Sequence, residues 1–277
     1  MSRAEIAPEG LGKRHVLLIV AHPDDECMFF LPTVRHLVST RLCDIWVLCL
    51  STGNAAPHFL GERRTTELKH SCSLMGIPWS HVRLVDDVRL QDGMENVWQR
   101  DVVAGHIAQA IEVFSLLRSD LDRVTIITFD GYGVSNHLNH RSVYHGVLYW
   151  HEQQKRKWQD RVGIDVTCRP SPQVGVYALH SVTLLVKYMG FVSWLVEPLV
   201  WWLWTRCLSR SSPRDSIVYR NVDFGRVWQS LACHRTQVTW WRVLFVLLSQ
   251  YSTLNRLVPC QFKTGRPTES IISLRPV

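Results

Sequence analysis

The chain has 277 residues, of which 46% are apolar, with an ordinary glycine and proline content. This composition excludes a disordered or low-complexity protein and predicts one large globular domain, or one domain with an appendage. The net charge of +7 divides into −3 for residues 1–150 and +10 for residues 151–277; the second part also holds eight of the twelve Trp, and basic residues beside aromatic, apolar stretches favour a membrane surface over a nucleic acid.

The beginning of the chain and its cysteines bear on the compartment. Residues 1–14 lack an apolar core, so we expect neither a signal peptide nor an N-terminal membrane anchor. The eight cysteines include no CxxC pair and no dense framework, which predicts reduced thiols in a cytosolic setting and no structural zinc bound by them.

The first predicted strand leads directly into a cluster of polar side chains. Val16 to Ala21 is an apolar run rich in β-branched residues, typical of a buried strand, and Pro23 ends its hydrogen-bonding pattern. His22, Asp24, Asp25 and Glu26 follow within five positions. A divalent cation would neutralise the repulsion among these carboxylates, whereas the alternative is a solvated, acidic first turn of a helix.

Alternating elements follow. Helices are predicted over residues 27–38, 61–75 and 97–117, with Pro32 in a first turn or at a kink, and further strands over residues 44–50, 82–85, 124–129 and 174–179. This alternation predicts an α/β fold of the Rossmann-like type, with a mostly parallel sheet and helices on both faces. We place a catalytic α/β domain at residues 14–180 and a C-terminal extension at residues 181–277.

A second polar loop follows the strand over residues 124–129. It leads to His137 and His140, which lie three residues apart at a predicted helix start and can face the same direction. Surface histidines are the ordinary alternative. Since this loop and the loop after the first strand both follow parallel strands, we expect them to meet at one edge of the sheet.

These residues suggest a hydrolytic metal site. His22, Asp25 and His140 form a two-His, one-carboxylate set that leaves a position for water, as in catalytic zinc sites. Asp24 is then placed to act as general base, and His137 to stabilise an oxyanion or protonate a leaving amine. Asp24 and Asp25 could exchange the roles of base and ligand. Glu26 is expected either to support the ligands by hydrogen bonds or to cap a helix. This set indicates metal-assisted hydrolysis of an amide.

The second part of the chain contains two aromatic, apolar segments. Residues 188–204 form a 17-residue run interrupted by Glu197 and Pro198, shorter than the roughly 20 residues of a spanning helix. An interfacial or re-entrant segment that associates with a membrane is favoured, and a buried core helix is the alternative. A Ser/Arg-rich connector is expected over residues 205–214, a second apolar helix over residues 238–248, and a polar, loose tail from Val258 onward.

Four motifs carry a resemblance to a known family. Residues 21–26 (AHPDDE), the helix start at residues 61–68 (GERRTTEL), residues 128–130 (TFD) and the His137-x-x-His140 pair resemble the zinc-dependent LmbE-like N-acetylglucosamine de-N-acetylases. Residues 28–30, residues 133–140 and the late residues 233–240 (CHRTQVTW) resemble the eukaryotic branch, the PIG-L family of N-acetylglucosaminyl-phosphatidylinositol de-N-acetylases. The similarity spans roughly residues 14–255.

The resemblance implies a function and a place in the cell. It implies Zn²⁺, or another divalent metal, on His22, Asp25 and His140, with Asp24 as base, His137 as oxyanion-stabilising or acid residue, and Arg64 near the substrate. It also implies an endoplasmic reticulum enzyme on the cytosolic side, acting on a glycolipid of GPI-anchor biosynthesis. Members often begin with a transmembrane helix that this chain lacks, so we expect the segment over residues 188–204 to replace it at the membrane surface.

Two other functions are consistent with the sequence. The chain could be a soluble deacetylase of a small N-acetylglucosaminyl conjugate, or a non-catalytic subunit of a membrane complex. The complete set of candidate ligands argues against the second. A nucleic-acid partner is not expected, because the edge of the sheet that carries the site is acidic.

Overall fold

The protein is built on one seven-stranded sheet. The computed structural model describes residues 14–41, 43–53, 60–117, 123–162, 173–207 and 216–260. In this part of the chain the strands are β1 (Arg14–Val20), β2 (Cys43–Cys49), β3 (Val82–Leu84), β4 (Arg123–Phe129), β5 (Gln173–Leu179), β6 (Ile217–Arg220) and β7 (Leu254–Pro259). Their order is β3-β2-β1-β4-β5-β7-β6. The first five are parallel, and β7 runs antiparallel to both of its neighbours.

Helices connect these strands. The described helices are α1 (Asp25–Met28), α2 (Leu31–Ser39), α3 (Leu60–Leu74), α4 (Arg100–Leu117), α5 (Gly133–Asn136), α6 (Leu138–Val162), α7 (Leu184–Lys187), α8 (Ser193–Cys207), α9 (Phe224–Cys233) and α10 (Trp240–Leu248), with short 3₁₀ turns at Trp79–His81, Val88–Leu90, Gly190–Val192 and Gln250–Ser252. Every residue of β1 from Val16 to Val20 is buried. Because neighbouring residues of a strand face opposite sides, both faces of the sheet are covered there.

The predicted α/β class is confirmed, and the five predicted strands lie within two residues of the observed ones. Their signal is strong because a parallel strand buried on both faces is an uninterrupted apolar run. The predicted helices at residues 61–75 and 97–117 correspond to α3 and α4. Gly76, with a φ of 92°, ends α3 in the left-handed conformation that suits glycine.

The predicted helix over residues 27–38 is wrong as one element. The chain forms the short helix α1, turns at Phe29 and Phe30, and begins again as α2 with Pro32 in the first turn. A proline inside a helix clashes with the carbonyl four residues earlier, here that of Met28, whereas the first turn accepts it. The break allows α1 to carry Asp25 and Glu26 directly after β1.

The C-terminal part differs most from prediction. The prediction of a loose tail from Val258 onward is wrong for Val258 and Pro259, which belong to β7. Residues 261–277 lie outside the described part. The strands β6 and β7 and the helix α9 were not predicted. Both strands are short and lie toward the antiparallel edge of the sheet, so their sequences show no long apolar run.

The apolar segment over residues 188–204 is largely helix α8, which contains Pro198. Residues 205–207 of the expected connector also belong to α8, and residues 208–214 lie outside the described part. No helix in the described ranges combines the length and apolar character needed to cross a bilayer. Whether α8 associates with a membrane stays a prediction.

The C-terminal strands are tied to the beginning of the chain. Buried Asn255 in β7 accepts hydrogen bonds from the backbone N–H and hydroxyl of Thr33, at 3.2 and 2.8 Å, and donates to the carbonyl of Phe29 at 2.8 Å. Since β7 also pairs with β5, the boundary predicted at residue 180 does not coincide with an edge of the sheet.

Candidate metal centre and active site

Two loops meet at the carboxyl end of the sheet. The chain segment after β1 carries His22 and Asp25, and the segment after β4 carries His140; β1 and β4 are adjacent and parallel. One nitrogen or oxygen from each of these three buried side chains lies within 4.8 Å of the others. His140 Nε2 is 3.2 Å from Asp25 Oδ1, and His22 Nδ1 is 3.7 Å from Asp25 Oδ2. The predicted convergence at one sheet edge is therefore observed.

Two of these three side chains, those of His140 and Asp25, are held in place by further contacts. His140 Nδ1 lies 3.1 Å from the Gly133 carbonyl, so Nε2 is left facing Asp25, and the His140 ring stacks on Phe129 at 4.0 Å between centroids. Asp25 Oδ2 accepts hydrogen bonds from the backbone N–H groups of Ala21 and His22 at 3.0 and 2.8 Å. Such supporting hydrogen bonds orient metal-binding histidines and carboxylates in proteins.

The donor set fits a divalent metal. Two imidazoles and one carboxylate, all buried and converging, are the protein ligands of an open tetrahedral site. Burial raises the pKa of Asp25, but the nearby His140 and His22 outweigh it and hold that pKa below its usual range. Burial lowers the pKa of His22, yet Asp92 and Asp25 raise it to about 9. Metal binding must therefore displace a proton from His22.

A carboxylate that the sequence did not single out adjoins the cluster. Asp92, in the loop after the 3₁₀ turn at Val88–Leu90, places Oδ1 3.0 Å from His22 Nε2. Asn139 Oδ1 lies 3.0 Å from the same nitrogen. His22, Asp92 and His137 form a second convergent group that shares His22 with the first. An isolated Asp in a loop gives no sequence signal of such a role.

Asp24 has an unusual backbone and a charged partner. Its φ of 112° is rare for a residue with a side chain and costs on the order of 1–3 kcal/mol, so the surroundings have to maintain it. Its backbone N–H donates to Glu26 Oε2 at 3.0 Å, and its carboxylate lies 2.8 Å from the Arg242 guanidinium of α10. Burial raises the pKa of Asp24 to about 6, and Arg242 opposes that rise. A carboxylate in this range can accept a proton near neutral pH.

Glu26 supports Asp24 from the interior. It is fully buried and accepts hydrogen bonds from Ser71 Oγ at 2.6 Å and His234 Nε2 at 2.7 Å. Burial lowers the pKa of His234, but Glu26 outweighs this and raises it. Gln237 contacts the other ring nitrogen of His234 at 3.2 Å. Of the two roles predicted for Glu26, the contacts match the supporting residue.

His137 lies beside the cluster. Its ring centroid is 4.9 Å from that of His22 and 4.8 Å from that of His140. Its Nδ1 accepts the backbone N–H of Asn139 at 3.2 Å, so the neutral ring carries its proton on Nε2. Burial, with the charges of His140 and His22, lowers the pKa of His137 to about 4. A neutral ring at pH 7 can donate a hydrogen bond but is a poor proton source.

Arg64 lies near the start of α3 and contacts the loop after β2. Its guanidinium donates to the carbonyl of Gly53, in the loop after β2, and Glu67 instead accepts from the backbone and hydroxyl of Thr236 at 2.8 and 2.6 Å. The intrahelical Arg64–Glu67 pair that their spacing would allow is not formed. Gly53 has a φ of 73°, and a Cβ there would clash with the guanidinium. Arg64 thus shapes the loop beside the site.

Comparisons with known proteins agree with these features. The family model described as PIG-L, GlcNAc-PI de-N-acetylase, matches residues 17–151. The probable N-acetylglucosaminyl-phosphatidylinositol de-N-acetylase of Schizosaccharomyces pombe is 32% identical, covering 90% of this chain and 88% of its own. The N-acetylglucosaminyl-phosphatidylinositol de-N-acetylase of Bos taurus is 31% identical, covering 93% and 88%.

Solved structures share the fold at low identity. N,N'-diacetylchitobiose deacetylase from Pyrococcus horikoshii has a TM-score of 0.55 at 13% identity, covering 89% of this chain and 84% of its own. The zinc inhibited form of the teicoplanin deacetylase Orf2 has a TM-score of 0.53 at 11% identity, covering 90% and 100%. At such identities the likeness supports the fold alone.

Proposed function

This chain belongs to the GlcNAc-PI de-N-acetylase family, and we propose that it hydrolyses the acetamide of N-acetylglucosaminyl-phosphatidylinositol in GPI-anchor biosynthesis. Water adds to the acetamide carbonyl, the C–N bond breaks, and the amine leaves with a proton, giving acetate and glucosaminyl-phosphatidylinositol. The observation that carries the proposal is the convergence of His22, Asp25 and His140. The carboxylate of Asp24 and the imidazole of His137 lie beside them and are not needed as ligands.

We assign roles to five side chains on chemical grounds. His22, Asp25 and His140 would hold zinc, or another divalent metal. When bound, the metal would lower the pKa of a coordinated water to about 7 and polarise the amide carbonyl. Asp24 accepts the proton of the attacking water and returns it to the departing nitrogen. His137 donates from Nε2 to the developing oxyanion, which its neutral state favours over the role of acid.

The direct test is acetate release by purified protein that has been stripped of metal and reloaded with zinc. We expect turnover of N-acetylglucosaminyl-phosphatidylinositol by the reloaded protein and little by the stripped one. Turnover of a water-soluble N-acetylglucosaminyl conjugate but not of the glycolipid would support the soluble deacetylase. A loaded protein that releases no acetate from either compound would support a non-catalytic subunit.

Arg64 is our candidate for a substrate contact outside the metal centre. Its Nε is buried without a hydrogen-bond partner among the described residues, although its Nη1 is engaged by Gly53. We expect Arg64→Ala to raise KM more than it lowers kcat, because the guanidinium would bind a part of the substrate that lies away from the reacting amide. The measurement is steady-state acetate release, with Arg63→Ala, an exposed neighbour, as control. Unaltered kinetics would restrict Arg64 to shaping the Gly53 loop.

The membrane surface is the partner we propose for α8 and α10. Leu195 and Leu199 of α8 are 81% and 58% exposed, and Trp202 is 50% exposed. On α10, the exposed apolar side chains are Trp240, Trp241, Leu244, Leu247 and Leu248. Large exposed apolar residues gathered on neighbouring elements mark interaction surfaces, and aromatic rings suit the headgroup region.

We expect the triple change of Leu195, Leu199 and Trp202 to Ser to release the protein from liposomes containing phosphatidylinositol, because apolar burial in the leaflet is lost. Liposome sedimentation measures this. A matched control changes Trp79, Val88 and Leu117, exposed apolar residues on other elements, to Ser. Equal binding of both variants would show that α8 is not the docking surface.

We also propose that the protein acts at the cytosolic face of the endoplasmic reticulum, as the family resemblance implies. Among the described cysteines, Cys27, Cys49, Cys72, Cys233 and Cys260 are free thiols, which fits a reducing compartment. Protease added to intact microsomes should then degrade the protein. Protection that is lost only after detergent treatment would place it in the lumen.

A further inference from the structure

Lys187 is a buried amine with no acidic partner among the side chains that the structure describes. It ends α7, is only 6% exposed, and donates from Nζ to the Ser135 hydroxyl at 2.8 Å. Its Nζ lies 5.6 Å from the centre of the Tyr188 ring and 5.2 Å from that of Phe245. Among the side chains that the structure describes, no carboxylate pairs with it. Burying a charge without a counter-ion is costly, and ring contacts offset only part of that cost.

The position of Lys187 relates it to the reaction. Ser135, its hydrogen-bond partner, lies two residues before His137 on the loop between β4 and α6. Gly133 of the same loop orients His140. The amine therefore contacts the loop that carries the candidate oxyanion donor, yet approaches it from the C-terminal part of the chain. Burial lowers the pKa of Lys187, because the ammonium loses hydration there.

A cavity adjoins the residue before Lys187. It has a volume of about 420 Å³ and is walled by Tyr132 and Val134 of the loop, Val182 and Val186 after β5, Trp201 of α8, and Tyr251 near β7. No carboxylate is among the described residues that line it. Leu184 and Leu185, next to this wall, are 72% and 78% exposed. The wall also includes His180 and Arg256, but it is mostly apolar, and a cavity of this size suits a hydrocarbon chain.

We propose that this region is the subsite for the phosphatidyl part of the substrate, with the phosphodiester bound by Lys187 and one acyl chain in the adjoining cavity. The inference rests on the proposed function, which supplies a ligand that is both anionic and lipidic. In that glycolipid the sugar and inositol rings separate the reacting amide from the phosphodiester. The anion must therefore be recognised outside the candidate metal site, and Lys187 contacts the chain segment that carries His137.

The phosphate contact is tested in the absence of membranes with three water-soluble compounds. They are N-acetylglucosaminyl-inositol, N-acetylglucosaminyl-inositol phosphate, and N-acetylglucosaminyl-phosphatidylinositol with short acyl chains. For Lys187→Gln we expect KM to rise roughly 10- to 100-fold for the two phosphate-containing compounds and to stay unchanged for the first, since a charge-assisted hydrogen bond is lost. Lys187→Arg should recover part of the affinity. Lys157→Gln, an exposed residue of α6, controls for the change in net charge.

The acyl contact is tested by chain length. In wild-type protein, each methylene added to a short-chain substrate below its micelle concentration should lower KM by up to about fourfold. Val186→Trp, which fills the cavity, should flatten this dependence and leave the turnover of N-acetylglucosaminyl-inositol phosphate intact. If that variant fails to fold, the chain-length series on wild-type protein still decides, because a flat series overturns the acyl subsite.

The outcomes separate this inference from the proposed function. A wild-type protein that releases acetate from none of the compounds overturns the proposed function and this subsite with it. In another outcome, wild-type protein hydrolyses all of them, but Lys187→Gln raises KM equally for phosphate-free and phosphate-containing compounds. This result retains the proposed function and overturns the phosphate contact. Calorimetric binding of the deacetylated inositol phosphate to metal-free protein, lost in Lys187→Gln, would support the contact without relying on turnover.

Discussion

Replacing Asp24 with Asn is expected to lower kcat by roughly 10²- to 10⁴-fold while leaving bound metal nearly unchanged. The amide preserves the shape of the side chain but cannot accept the proton of the attacking water, and general-base catalysis contributes about this factor. Acetate release and elemental analysis on the same preparation measure the two quantities.

The control for Asp24→Asn has to separate lost chemistry from lost structure, because Asp24 is also paired with Arg242. Asp44→Asn is suitable, since Asp44 is a similarly buried carboxylate at the start of β2, the opposite end of the sheet. It should lower the melting temperature without lowering kcat per folded molecule. If Asp24→Asn retains turnover, the assignment of the base is wrong. Loss of metal from Asp24→Asn but not from Asp25→Asn would exchange the roles of these neighbours.

The second large effect is expected for the three candidate ligands. His22→Ala, Asp25→Ala and His140→Ala should each weaken metal binding by more than about 100-fold and abolish turnover, because changes to residues behind the ligands already cost about 10- to 100-fold. Metal content after dialysis against a weak chelator and acetate release are the measurements. His145→Ala, an exposed histidine on the same helix as His140, is the matched control.

An unchanged metal content in any of the three variants would remove that residue from the ligand set. Asp92→Ala provides the competing outcome, because Asp92, His22 and His137 form the second convergent group. If Asp92→Ala and His137→Ala lose metal while Asp25→Ala and His140→Ala retain it, the ion belongs to that group. In that case His137 would be a ligand and no longer a donor to the oxyanion.

The part of the site that the sequence predicted is the part positioned by adjacent parallel strands. The apolar runs of β1 and β4 mark two strands, and the residues that follow parallel strands share one edge, so the approach of His140 to Asp25 could be expected before any distance was known. The same argument could not reach Asp92, which follows no strand directly. It has no periodic or motif signal, and its position depends on how a loop folds over His22.

The supporting residues from the C-terminal part were also not predicted. His234 lies 208 residues after Glu26, and pairing over such a separation is decided by the tertiary packing of α9 against the rest of the fold. Arg242 lies within an apolar, tryptophan-containing helix, where a lone cation ordinarily favours a lipid headgroup. Its contact with Asp24 becomes evident only when α10 is placed over the sheet edge.

The long-range pair between Glu26 and His234 has a consequence for the order of synthesis. A ribosome completes the residues of the candidate metal site by His140, but the residues that contact buried Glu26 and Phe29 arrive roughly 100 residues later, with His234 and Asn255. Until then an emerging chain holds an acidic cluster without its stabilising contacts. We therefore expect a chain stopped at residue 180 to require a chaperone and to be degraded, since domains generally fold as units.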